Sequence, residues 1–186
     1  MLNKQKLNLN NVLHESGHYI FGLKFIGKIS DCSFSDNNKY NTPFVQNDFS
    51  LFKKNYGNDL EIEILIGLAD SEKKEIENKK YEMKNIEGNN RKAALELCSY
   101  LQSGDAIFDA YDIKCKREDV NIDSSDSGKS RIIATKYNLS DAIIKKNKLK
   151  FIECIKEKRL DIIAKKYVDC EIDMSQYIEL LKKSLF

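Results

Sequence analysis

The sequence predicts a mainly helical domain with a small β element after the first helix, because apolar residues return at helical spacing over most of the chain. One early stretch, 28–48, breaks that rhythm: it alternates apolar and polar residues, then turns, and it holds the only proline, Pro43. With 186 residues and 41% hydrophobic content, the chain can bury one sizeable core with at most a small appended lobe.

The first helix follows from its caps and its stripe. Asn8 or Asn10 can cap it, the apolar residues Val12, Leu13, Ile20, Phe21, Leu23 and Phe25 sustain it, and Gly27 is a natural stop. "KISDCSF" then reads as a strand, and "SDNNKYNTPF" as a turn-rich loop within the short β element. In "NDLEIEILIGLADSEKKEIENKKYEM" an Asn/Asp cap precedes Leu60, Ile62, Ile64, Leu65, Ile66 and Leu68, which predicts a buried helix with a solvated extension. Its "EIEILI" also alternates, which a strand would satisfy as well. A further helix is capped by the Asn89 and Asn90 pair and striped by Ala94, Leu97, Cys98 and Leu101. Residues 116–130, "KREDVNIDSSDSGKS", are polar and serine-rich, and read as a loop between a core at 1–115 and a C-terminal helical part of the same domain at 131–186. That last part shows helix spacing at Phe151, Ile152, Ile155, Ile163 and Tyr167, and another helix starting near Ser175.

Composition excludes several functions. The 31 basic residues nearly balance the 29 acidic ones, and a net charge of +2 creates no field suited to nucleic acid or an anionic membrane. No window offers the roughly 20 apolar residues that cross a bilayer. The five cysteines form no C-x-x-C pair, so neither a zinc ribbon nor a disulfide framework is expected, and the expected setting is a reducing, cytoplasmic one. The "GKS" at 128–130 is not a phosphate loop, since the glycine required five residues earlier is Asp123.

One motif carries chemistry. "HESGH" contains both histidines of the chain, His14 and His18, spaced four residues apart within the first helix. That spacing stacks them on one helix face, where both rings can address one ion. Glu15 lies about 100° around the helix from His14, so it is left to hold and deprotonate a water whose acidity zinc raises. The implied reaction is hydrolysis of a peptide bond, with Glu15 as general base. Gly17 leaves a bare surface beside the ligands, which lets another backbone or a substrate come close. A catalytic zinc needs a third protein ligand, and with no histidine left it must come from a carboxylate, a thiolate or, poorly, an amide oxygen.

"HESGHYIFG", the following "GKI", then "ILIGLADSE", "GNNRKAALEL" and the C-terminal "LDIIAKKYVDCEIDMSQYIELLKK" together resemble the protease domain of the FtsH family of ATP-dependent zinc metallopeptidases. The likeness runs over nearly the whole chain in order and spacing, and its sharply specific part is the His-Glu-x-x-His run. It implies a helical metallopeptidase domain with His14 and His18 as zinc ligands and Glu15 as base. The family's third ligand is an aspartate in a "SND" run that opens a helix, and the matching position here is Asn90, a neutral and weaker donor. Asp70, Glu72, Asp105 and Asp109 are the acids that could replace it. The family's ATPase module and membrane anchor have no counterpart in the sequence, so the expectation is a stand-alone protease domain. Such a domain cleaves peptides or unfolded chains, either alone or with an AAA ATPase acting in trans, and the likeness also implies a homo-oligomer. The alternative is a peptidase-like binding or regulatory protein with weak or absent catalysis.

Overall fold

The computed structural model describes residues 7–36, 38, 40–114 and 125–185. Helix α1 (Leu9–Phe21) begins where the Asn8 side chain accepts from the Asn10 N–H at 2.9 Å. It continues as a π-helical turn, Gly22–Ile26, before the chain leaves at Gly27. At Gly22 a Cβ would overlap the side chain of Asn47, so the widened turn and the missing side chain together admit a neighbouring strand. The strands β1 (Ile29–Ser33) and β2 (Phe44–Asn47) form an antiparallel pair, with Cys32 opposite Val45, Ser33 opposite Phe44, and a bulge between Ile29 and Asp31.

The rest is helical: α2 (Ser50–Tyr56), α3 (Leu60–Asp70), α4 (Ile76–Lys84), α5 (Arg91–Leu101), α6 (Ser103–Ala110), α7 (Asp126–Lys136), α8 (Asp141–Lys156), α9 (Leu160–Val168) and α10 (Met174–Lys183). The protein is therefore mainly helical with one small two-stranded sheet among the described residues. None of these helices is long and apolar enough to cross a membrane.

Two boundaries differ from the sequence expectation. The helix expected from Leu60 onward is two helices, because Ser71 and Lys129 take the carbonyls of Gly67 and Ala69 at the end of α3. "EIEILI" lies within α3 and is helical, its first turn secured by Asp59 accepting from the Ile62 N–H at 3.0 Å. The second difference concerns 116–130. Residues 115–124 lie outside the described residues, but from Asp126 onward the expected loop is the first turns of α7.

The core forms around α1. Val12, Leu13, Tyr19, Ile20 and Phe21 are buried there against α6, α9 and α10. Tyr177 donates to Ser16 Oγ at 2.5 Å while Ser16 donates to the Val12 carbonyl, tying α10 to α1 with both hydroxyls satisfied. Helix α10 starts with a capping box between Asp173 and Gln176, one residue before the start read from the sequence. At the other end of the core, α5 packs on α7 and α8, and α6 on α8.

Candidate metal centre

Helix α1 delivers His14 and His18 one turn apart, with His18 buried at 5% exposure and the His14 side chain partly open at 28%. Their Nε2 atoms lie 3.1 Å apart. Asp126 Oδ2 completes the group, 3.3 Å from His14 Nε2 and 3.1 Å from His18 Nε2. Zinc bonds of about 2.0–2.1 Å in a tetrahedron place neighbouring donors ~3.3 Å apart, so these three atoms match one face of that tetrahedron. Two nitrogens and one carboxylate oxygen are also a donor set that zinc accepts, with a fourth position left for water or substrate.

The outer partners fix which nitrogens face the ion. Ser103 Oγ donates to the Tyr100 carbonyl at 2.6 Å, leaving only lone pairs for His18 Nδ1, 3.2 Å away. A metal-binding His18 would therefore carry its proton on Nδ1 and offer the Nε2 lone pair to the ion. His14 Nδ1 faces Asp105 Oδ1 at 3.4 Å, the carboxylate–imidazole pairing that orients metal-bound histidines. Helix α6 can come this close because two glycines face the contact. A Cβ on Gly104 would stand 2.5 Å from the His14 ring, and one on Gly17 would overlap the Ser103 carbonyl. The bare surface at Gly17 thus receives a backbone segment of the protein itself.

Asp126 is the first residue of α7, where Ser125 caps the helix by accepting from the Gly128 N–H at 3.0 Å. The positive end of the helix dipole favours a carboxylate there. Burial alone would raise the Asp126 carboxyl, but the His18 charge and hydrogen bonds from both imidazoles outweigh it and hold it well below the usual carboxylate range. Burial likewise opposes charge on His14, yet hydrogen bonds to Asp105 and Asp126 and the charge of Glu15 raise its pKa to about 10. An ion that takes the His14 lone pair must displace that proton.

Glu15 points into a cleft of about 790 Å³ that it lines together with His18, Phe44, Val45, Tyr100 and Lys129. Burial raises its pKa, the histidine charges oppose that rise, and the Val45 N–H on β2 donates to its carboxylate. A buried glutamate whose pKa is raised in this way suits a proton acceptor.

The other sequence candidates lie elsewhere. Asn90 donates its backbone N–H and its Nδ2 to the two oxygens of Glu61, at 2.8 and 3.0 Å, and Tyr137 donates to the same carboxylate at 2.5 Å. That network ties α3, α5 and α7 together and uses the Asn90 side chain structurally. The carboxylate brought to the histidines is that of Asp126. Asp70 and Glu72 line the cleft wall, Asp105 stands behind His14, and Asp109 pairs with Lys148 at 3.4 Å. Asp126 was hidden in the sequence because α7 buries Gly128, Lys129 and Ser130 and so lacks an apolar stripe. The signal that could have found it is the Ser-Asp pair at 125–126, a cap followed by an acid in the first turn.

The Asp105→Asn variant is expected to lower zinc affinity by about 10- to 100-fold without changing the stoichiometry at saturation. Competition against a chromogenic chelator measures this, and an unchanged affinity would remove Asp105 from the site. No protein-family model, curated protein or solved structure matches the chain, so the geometry of this centre carries the functional reading.

Proposed function

We propose that the protein is a zinc-dependent endopeptidase related to the FtsH protease domain, acting on peptides or unfolded chains. The observation that carries the reading is the convergence of His14, His18 and Asp126 at tetrahedral spacing beside a cleft that Glu15 lines. In the family that the sequence resembles, the third ligand is an aspartate that opens a helix. Asp126 opens α7, and it fits that role where Asn90 does not.

Zinc, when bound, supplies Lewis-acid polarisation and a more acidic water. His14, His18 and Asp126 hold the ion, and Ser103 and Asp105 set the two rings. Glu15 takes a proton from the attacking water and returns it to the departing amine. Partners follow from the same resemblance: further copies of the chain in a homo-oligomer, and an AAA ATPase in trans for folded substrates. The four described cysteines are free thiols, which accords with a cytoplasmic setting.

The test is hydrolysis of an unstructured fluorogenic peptide library by zinc-loaded protein. Wild type should cleave, and Glu15→Gln should lose about 10²- to 10⁴-fold in kcat with its zinc content intact. Equal rates from the two proteins, or a zinc-loaded wild type without activity, would overturn the reading in favour of a peptidase-like binding protein.

A further inference from the structure

Tyr100 reaches the same cleft from the end of α5, with its ring edge-on to His18 at a centroid distance of 5.4 Å. Its hydroxyl accepts a hydrogen bond from Asn47 Nδ2 at 2.8 Å. A phenol that accepts from an amide still has its own proton to donate. The cost of this arrangement is visible at the other end of the amide: Asn47 Oδ1 is buried and has no hydrogen-bond partner among the described residues. Such an orphan is destabilising by about 1–3 kcal/mol, and it accompanies an amide whose N–H is turned toward the phenol. Gly22 leaves room for the amide, since Oδ1 lies where a side chain at position 22 would stand. Asn47 ends β2, the strand whose Val45 N–H meets Glu15, so base and phenol are both referred to one strand.

Building on the peptidase reading, we propose that Tyr100 is a catalytic residue, its phenolic O–H donating to the oxyanion that forms when water adds to a scissile carbonyl, with Asn47 as its positioning residue. In the addition, the water oxygen bonds to the carbonyl carbon, the C=O π pair moves onto the carbonyl oxygen, and Glu15 takes the water's proton. In the collapse, the π bond re-forms, the C–N bond breaks, and Glu15 gives that proton to the departing nitrogen. The Tyr100 proton stays on the phenol throughout. Its hydrogen bond strengthens as charge develops on the oxygen, which lowers the barrier rather than tightening substrate binding.

The experiment compares zinc-loaded wild type, Tyr100→Phe and Asn47→Ala. It measures kcat and KM for a peptide substrate and the affinity for a phosphonamidate analogue of that peptide. It also measures the affinity for the uncleaved parent peptide in a Glu15→Gln background. Tyr100→Phe should lower kcat and weaken phosphonamidate binding, each by ~100-fold, with KM, parent-peptide affinity and zinc content unchanged. Asn47→Ala should move the same two quantities in the same direction by a smaller factor. If Tyr100→Phe keeps wild-type kcat and phosphonamidate affinity, or loses parent-peptide affinity to the same extent, the assignment is overturned while the peptidase reading stands. If zinc-loaded wild type neither cleaves nor binds these ligands, the peptidase reading fails and the assignment goes with it.

Discussion

Asp126→Ala is expected to weaken zinc binding by more than ~100-fold, as are His14→Ala and His18→Ala, whereas Asn90→Ala should bind zinc as wild type does. Each of the first three removes one corner of a donor triangle with edges of 3.1–3.3 Å. The last removes a hydrogen-bond donor from Glu61 and should appear only as a stability loss of about 1–3 kcal/mol. Zinc per chain by elemental analysis, with denaturation of the same samples, separates the two effects. Zinc lost from Asn90→Ala and retained by Asp126→Ala would reverse the assignment of the third ligand. The same titration should depend on pH with a definite sign. The ion competes with a proton that His14 holds up to about 10, so affinity should fall by up to about tenfold for each unit of pH lowered from 8 to 6.

The second large effect is on the fold. Gly17→Val should destabilise the protein by about 3 kcal/mol or more, because its Cβ would overlap the Ser103 carbonyl and backbone cannot rotate away as a side chain can. Thermal denaturation measures this directly. Moving α6 away from α1 would also carry Ser103 and Asp105 away from the histidine rings, so zinc affinity should fall in whatever fraction remains folded. A Gly17→Val protein as stable as wild type would mean that α1 and α6 do not pack this closely in solution.

The helical frame and the two-histidine half of the centre are legible in the sequence, for one physical reason. Helical periodicity is local, and it sets both the apolar stripe of α1 and the stacking of His14 over His18. The third corner is not legible in the same way. Asp126 is 112 residues from His14 and reaches it through packing of α7 on α3, α4 and α5, which no short-range pattern encodes. The polar composition of the buried face of α7 also disguises the helix as a loop, since Lys129 is buried with its ammonium on the Ala69 carbonyl. Asn90 is misleading for the opposite reason. It opens α5 in a capping position, as the ligand-bearing aspartate opens its helix in the family that the sequence resembles, but the acid it faces is Glu61.

The wide separation of the ligands along the chain also fixes when the centre can exist. His14 and His18 leave the ribosome 112 and 108 residues before Asp126, an interval on the order of 5–20 s at ordinary elongation rates. During that time a nascent chain carries only two of the three donors, which would hold a metal ion weakly, and the complete donor set appears only once α7 has been made and docked. Under the peptidase reading proposed above, synthesis order thereby withholds hydrolytic activity until α7 is in place.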